Sequence, residues 1–220
     1  MISLIVPTRY RPGPLAAMWD SALATADHPD DLELVWRTDS DDPTEYPGLP
    51  GRTVNVTGPR LLMSCLWNDA QAHATGGLFW HGGDDNLFRT PGWDTAVREA
   101  VSRYPDGIVF AHGRDGGQGD HLGTHGFLTR RWVQVSGWFL PPYFPSDYND
   151  QWLTEVADQA GRRVYLPDVL IEHMHPAWGK GPWDRTHQER LSRHDPGLWD
   201  QTAAERQAHA GRLREAMDAA

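Results

Sequence analysis

The sequence is short of the features that mark several common classes of protein. Lys180 is the only lysine and Cys65 the only cysteine among 220 residues. A lone cysteine excludes an internal disulfide and has no cysteine neighbour for a zinc knuckle. No stretch approaches the roughly 18 consecutive apolar residues of a membrane-spanning helix, and Met1–Pro7 is too short for the apolar region of a signal peptide. We therefore expect a cytoplasmic protein without a membrane span.

Positive charge is scarce as well, since 20 basic and 30 acidic residues leave a net charge of -10. This balance excludes a broad basic surface that would hold duplex DNA by neutralising phosphates. A small local groove stays open, and Arg130–Arg131 with Arg162–Arg163 could supply one. The 11 tryptophans could stack on sugars or bases, although core packing is the commoner role.

The first half of the chain alternates short apolar runs with helical segments. Strands are predicted at 2–6, 32–36, 53–56 and 78–81, and helices at 15–26 and 61–74. Such alternation predicts an α/β fold in which helices flank both faces of a mostly parallel, Rossmann-like sheet. The second half continues with helices at 94–104 and 150–160, strands at 108–111, 163–166 and 169–173, and a short strand and helix around 127–135.

The length and the composition suggest one domain with a tail. We predict a catalytic domain over residues 1–182 and a C-terminal helical extension over residues 183–220, packed on it. The oligomeric state cannot be read from the sequence.

The strongest chemical signal is the run His81-Gly-Gly-Asp-Asp-Asn86. It places Asp84 and Asp85 directly after a predicted buried strand, where open α/β sheets bind ligands. Adjacent ionised carboxylates repel each other and tend to recruit Mg²⁺ or Mn²⁺, which also attract phosphate. The alternative is an ordinary polar turn.

Several short motifs, taken in their order, resemble the GT-A glycosyltransferases, especially the large inverting group (family-2-like). The matching pieces cover about residues 1–180 and are 2–9 (ISLIVPTR), 34–39 (LVWRTD), 67–68 (WN), 83–86 (GDDN) with 91–93 (PGW), 149–150 (ND) before 160–161 (AG), and 167–168 (PD) leading to 172–176 (EHMHP). The resemblance implies a transferase that moves a hexosyl or pentosyl group from a UDP- or GDP-sugar to an acceptor hydroxyl. It also implies a manganese or magnesium cofactor.

The resemblance further implies a donor site, whose residues lie at the ends of predicted strands and in the loops beside them. Pro7, Thr8 and Arg9 would line the base and ribose, and Asp39 would bind the base. The remaining members of the predicted donor set are Arg60, Asn68, Asp84 and Lys180. Asp84-Asp85 resembles the DxD motif of the family but reads Asp-Asp-Asn, so either carboxylate could meet the metal, and we favour Asp85.

His173 resembles the late histidine with which many GT-A enzymes complete the metal site. A neutral imidazole suits Mn²⁺ better than Mg²⁺, so His173 shifts the expected metal toward manganese. His175 lies on the same side of an extended segment and could replace it. In the simpler reading, one or both histidines only cap the end of a strand.

Asp150 resembles the carboxylate that serves as base in inverting members, because it lies 11 residues before Gly161 at the start of a helix. Inverting transfer needs a base to take the acceptor proton as the hydroxyl attacks. Asp147 is the substitute candidate. Either residue could instead be only a helix N-cap.

Two other functions compete with this interpretation. A nucleotidyltransferase or pyrophosphorylase would use a similar sheet, but it needs a glycine-rich basic loop after the first strand, and residues 8–13 are a poor version. A carbohydrate-binding module would explain the tryptophans but not the acidic residues at strand ends. For a transferase, the acceptor could be a glycan or a hydroxymethylated DNA base.

Overall fold

A computed structural model describes all 220 residues and confirms the α/β prediction. Its first half contains β1 (Ile2–Pro7), α1 (Pro12–Thr25), β2 (Leu32–Asp39), β3 (Thr53–Gly58), α2 (Met63–Gln71) and β4 (Leu78–His81). The strands β3, β2, β1 and β4 pair in parallel in that order. All four carboxyl ends therefore point to one edge of the sheet, where Asp39 and Asp84 follow β2 and β4.

The second half closes the sheet with strands that run in both directions. Its elements are β5 (Asn86–Phe88), α3 (Trp93–Ser102), β6 (Phe110–Arg114), β7 (Gly126–Thr129), α4 (Arg130–Ser136), α5 (Asn149–Ala160) and β8 (Arg163–His173). The full order is β3-β2-β1-β4-β7-β6-β8-β5. Antiparallel pairs β4–β7, β6–β7 and β5–β8 accompany the parallel pair β6–β8.

Two local expectations for this half need correction. The segments predicted as a pair of strands at 163–166 and 169–173 form one strand, β8, because a register shift near Gly113 lets it continue past Pro167. The short strand β5, which follows the Asp-Asp pair, had no separate signal in the sequence. Its pairing with the end of β8 brings Asn86 opposite His173.

The sheet separates two apolar cores, as the alternation of side chains along a strand requires. Ile5 and Val35 face one core together with α2, α5 and the C-terminal helix, whereas Leu4 and Leu34 face the other with α1 and α3. Five of the 11 tryptophans are fully buried: Trp19, Trp80, Trp93, Trp132 and Trp152. For these five, the packing interpretation is confirmed.

The last part of the chain forms α6 (Arg185–Leu191), α7 (Gly197–Gln201) and α8 (Ala203–Asp218). Helix α8 packs against α4 and α5 through buried Ala210 and Leu213. The domain division at residue 182 stays a prediction. None of the helices has the length and apolar character needed to cross a bilayer.

The buried His209 on α8 should make folding sensitive to acid. Its Nδ1 accepts a hydrogen bond from Trp152 Nε1 at 3.0 Å, and its Nε2 lies 2.7 Å from Ser136 Oγ. Burial lowers the pKa of His209 from 6.5 to about 3. Above pH 6.5 both states are neutral, but below it only the unfolded chain takes up the proton, so stability falls between pH 6.5 and about 3.

We expect urea unfolding to show this loss as a difference between the wild type and His209→Gln, whose amide can keep both hydrogen bonds without titrating. Between pH 7.5 and pH 5 the wild type should lose about 2 kcal/mol more than the variant. Equal losses in the two proteins would exclude His209 as the acid-sensitive group.

Candidate active site

A cleft opens where the strands β1, β2 and β4 end. The loops after these strands, the start of α5, the end of β8 and helix α6 form its walls. The predicted site residues that line it are Pro7, Thr8, Arg9, Asp39, Arg60, Asp84, Asp85, Asp147, Asp150 and His173. Residues from Pro7 to Arg193, distant along the chain, therefore meet in one space.

Asp84 and Asp85 have different surroundings in this cleft. The Thr8 hydroxyl donates to Asp84 Oδ2 at 2.6 Å and the Arg11 guanidinium donates to Oδ1 at 3.0 Å, so both oxygens of Asp84 are engaged. Asp85 Oδ1 lies 3.5 Å from His173 Nε2, and Oδ2 lies 3.6 Å from His187 Nε2. Asp85 is therefore the carboxylate of the pair that remains free to bind a ligand.

The different surroundings of Asp84 and Asp85 shift their pKa values in opposite directions. Burial raises the pKa of Asp84 to about 6 against the opposing effect of Arg11. Burial also acts to raise the pKa of Asp85, but the facing His173 and His187 outweigh it and hold that pKa well below its usual value. Asp85 is thus the member of the pair that stays ionised to the lower pH.

The donor set around Asp85 suits a divalent cation only in part. A carboxylate facing two imidazole nitrogens matches the oxygen and nitrogen ligands of Mn²⁺. No group of three or more His, Cys, Asp or Glu side chains, however, is arranged as a complete metal-binding group. An ion held here would take its other ligands from a bound phosphate and from water, as Mg²⁺ commonly does.

His187 was missed by sequence reasoning. It stands on α6, in the segment predicted to be only an extension, and no local pattern distinguishes it. Asp184 caps α6 by accepting from the His187 backbone N–H, and its Oδ1 lies 2.8 Å from the ring Nδ1. This contact orients the opposite nitrogen, Nε2, toward Asp85.

At the start of α5, Asp147 and Asp150 share the cleft wall. Tyr148 occupies the N-cap position with a φ of 76°, so neither aspartate is the N-cap, and Asp150 Oδ1 accepts from the N–H of Gln151 at 2.9 Å. Burial, reinforced by the nearby negative charge of Asp147, raises the pKa of Asp150 to about 6. Asp147 Oδ2 lies 2.7 Å from His194 Nδ1. Asp150 is consequently a carboxylate with the proton affinity that suits a general base.

The opposite end of the cleft contains the residues predicted to bind a nucleotide. Arg9 donates to buried Asp39 Oδ2 at 3.0 Å, while Asp39 Oδ1 is buried without a hydrogen-bond partner. Such an orphaned acceptor is rare and fits an N–H donor on a ligand. Arg60 pairs with Glu189 of α6 at 2.7 Å.

The cleft also contains many arginines, which lie among its acidic side chains. Five arginines line it: Arg9, Arg11, Arg60, Arg190 and Arg193. Arg11, which sequence reasoning also missed, forms a fork with both carboxylate oxygens of Asp184 at 2.7 Å. Arginine clusters of this kind bind phosphate groups well, because the planar guanidinium offers paired donors.

Three predicted residues do not line the cleft. Asn68 binds the backbone of Phe139 and Leu140. His175 accepts from Ala177 N–H through Nδ1, and its Nε2 lies 3.0 Å from Arg190. Lys180 pairs with Glu172 at 2.8 Å. Each of the three serves a contact within the chain, and their donor and metal roles stay predictions.

Three of the four arginines that could form the predicted basic groove make contacts within the chain, and Arg131 is exposed. Arg130 donates to the carbonyl of Gly76, Arg162 pairs with Asp106 at 2.6 Å, and Arg163 pairs with Asp158 at 2.7 Å. None of these arginines lines the cleft.

Asn68 should matter for stability and not for ligand binding. Its Oδ1 accepts from the N–H groups of Phe139 and Leu140 at 2.8 and 2.9 Å, and its Nδ2 donates to Leu140 O at 2.8 Å. Asn68→Ala leaves these backbone groups without partners, so we expect a loss of about 2–3 kcal/mol in urea unfolding. Asn68→Asp keeps the acceptor and should lose less. A variant of unchanged stability but weakened nucleotide binding would place Asn68 in the donor site.

Comparison with solved structures identifies the fold. The mannosyltransferase PcManGT from Pyrobaculum calidifontis, determined with GDP-Man and Mn²⁺, matches 99% of this chain and 73% of its own, with 16% identity and a TM-score of 0.63. Residues 1–349 of TarS from S. aureus match 77% of this chain with 14% identity and a TM-score of 0.57, and the chain spans 59% of that fragment. The catalytic domain of Drosophila β1,4-galactosyltransferase 7, in complex with xylobiose, matches 90% of this chain and 82% of its own at 13% identity and a TM-score of 0.54.

No family model and no curated protein sequence matches the chain. The likeness is thus one of fold, and the predicted GT-A fold is confirmed.

Proposed function

We propose that this chain is a metal-dependent, inverting glycosyltransferase that moves a sugar from a nucleotide diphosphate to an acceptor hydroxyl. The observation that carries the proposal is the meeting of Asp85, Asp150 and the arginines in one cleft of a GT-A fold. A fold alone does not specify chemistry, so the residues must support it.

The nucleotide would lie at the Arg9 end of the cleft. The unpartnered Asp39 Oδ1 can accept from a ring N–H of uracil or guanine, and Thr8 and Pro7 adjoin it. Both bases carry such a donor, so a UDP-sugar or a GDP-sugar fits. Among the proteins of similar fold, PcManGT was solved with GDP-Man and TarS with UDP-GlcNAc.

Asp85 and His173 would hold Mn²⁺ or Mg²⁺, with His187 close enough to assist. When bound, the cation supplies positive charge that stabilises the departing diphosphate. Asp84 then positions the loop, because its bonds to Thr8 and Arg11 tie the end of β4 to the loop after β1. Arg11 and Arg60 would add positive charge beside the phosphates.

Asp150 would act as the base, with Asp147 as the alternative. The acceptor oxygen forms a bond to the anomeric carbon while the bond from that carbon to the phosphate oxygen breaks, and its electron pair leaves with the nucleoside diphosphate. Asp150 takes the acceptor proton. A pKa near 6 keeps most of Asp150 ionised at pH 7 yet basic enough to accept that proton.

A screen of nucleotide sugars for Mn²⁺-dependent thermal stabilisation tests the proposal. The best donor should then release a nucleoside diphosphate when glycans or hydroxymethylated DNA are supplied as acceptors. Release of pyrophosphate would favour a nucleotidyltransferase instead. Sugar binding without metal or nucleotide would favour a carbohydrate-binding module.

A further inference from the structure

Two arginines of the cleft, Arg190 and Arg193, have weak or no ion pairs with carboxylates. Arg193 has no carboxylate within ion-pair distance, and its one side-chain hydrogen bond is to the carbonyl of Leu61 at 3.1 Å. Arg190 reaches His175 at 3.0 Å, and its Nε lies 3.9 Å from Asp147, which is already bound by His194. The Nε of Arg190 is buried and has no hydrogen-bond partner.

Each of the other three arginines of the cleft forms ion pairs with carboxylates. Arg9 pairs with Asp39 and Asp41, and Arg60 pairs with Glu189. Arg11 pairs with Asp84 and Asp184. Carboxylates are plentiful in a chain with a net charge of -10, yet Arg193 has none within ion-pair distance and Arg190 meets only Asp147, at 3.9 Å. Unpaired guanidinium donors in a partly buried space favour an anionic ligand.

The location of these arginines assigns the anion to the acceptor side. Arg190 approaches Asp147, and His194, which follows Arg193 in the chain, bonds to Asp147 at 2.7 Å. Asp147 lies three residues before the proposed base. The turn that carries Arg193 is closed by its N–H donating to Arg190 O at 3.0 Å, which keeps the two side chains on neighbouring positions.

We propose that the acceptor carries a phosphate group near the hydroxyl that is glycosylated, and that Arg190 and Arg193 hold this phosphate. The inference rests on the proposed glycosyl transfer and restricts the acceptor to molecules that carry a phosphate. Two guanidinium groups can share the oxygens of one phosphate in paired hydrogen bonds. A hydroxymethylated oligonucleotide and a polyol phosphate both present this chemistry, whereas a neutral glycan does not.

The test compares matched acceptors on protein loaded with nucleoside diphosphate and Mn²⁺. One pair is 5-hydroxymethyldeoxycytidine and a short oligonucleotide that contains it, and the other is glycerol and glycerol phosphate. Calorimetry should show that at least one phosphorylated member binds about tenfold or more tightly than its neutral partner. The pair that shows the preference identifies the source of the phosphate. Transfer is measured beside binding.

Arg193→Gln and Arg190→Gln should each remove most of that preference and leave the affinity for the nucleoside diphosphate unchanged. Arg103→Gln, an exposed arginine outside the cleft, is the matched control and should change neither. If neither phosphorylated probe binds more tightly than its neutral partner, the inference is wrong. It is equally wrong if Arg193→Gln weakens nucleoside diphosphate binding instead, because the arginines would then serve the donor. A wild-type protein that binds no nucleotide would overturn the proposed function itself.

Discussion

Replacing Asp85 with asparagine should abolish Mn²⁺-dependent binding of the nucleoside diphosphate and reduce transfer by about 10³-fold or more. Asparagine keeps the size of the side chain and can still face His173 and His187, but it lacks the charge that holds a divalent cation. Isothermal titration with Mn²⁺ and nucleotide, each alone and together, measures the first effect. Initial rates of donor turnover measure the second, since without the cation the leaving diphosphate loses its main electrostatic stabilisation.

Asp84→Asn is the matched control. Asp84 is acidic and adjacent to Asp85, but its carboxylate is bonded to Thr8 and Arg11 and does not face the two histidines. The substitution removes the negative charge beside Arg11, which keeps its fork with Asp184, and weakens the bond from Thr8, so we expect a loss of about 1–3 kcal/mol in unfolding free energy. Asp85→Asn should also lower stability at neutral pH, because a lowered pKa means that the fold favours the ionised carboxylate. If Asp84→Asn alone removed metal binding from a stable protein, the roles of the two carboxylates would be exchanged.

The sheet and the position of the cleft could be predicted because they depend on local patterns. Four apolar runs separated by helical segments specify parallel strands, and parallel strands bring their carboxyl ends together. Asp39 ends one such strand and Asp84 comes soon after another. The topology of the sheet alone therefore predicted that they lie close together, without any knowledge of side-chain contacts. The same argument places Pro7, Thr8 and Arg9 at this edge, because they lie where β1 ends.

The contribution of the C-terminal segment could not be predicted in this way. His187, Arg190 and Arg193 reach the cleft only because α6 folds back over it, held by the fork between Arg11 and Asp184. That contact joins residues 173 positions apart and leaves no periodic trace in the sequence. The hydrogen bonds that Asn68 and His175 make within the chain could not be predicted either, because a motif match carries no information on such contacts.

Asp150→Asn should reduce kcat by about 10²- to 10⁴-fold while the affinity for the donor stays within a factor of about two. The amide cannot take the acceptor proton, yet it occupies the same position at the start of α5. The pH profile gives an independent signature. Because the base must be ionised and its pKa is raised to about 6, wild-type kcat should fall roughly tenfold per unit as the pH drops below 6. The residual rate of Asp150→Asn should lack this acidic limb.

Asp147→Asn separates the two candidate bases. The negative charge of Asp147 contributes to the raised pKa of Asp150, so its removal should lower that pKa and shift the acidic limb of the profile to lower pH. The loss in kcat at pH 7.5 should stay below about tenfold, because Asp150 remains to accept the proton. If Asp147→Asn instead caused the larger loss and erased the acidic limb, Asp147 would be the base. Asp150 would then only modulate the charge of its surroundings.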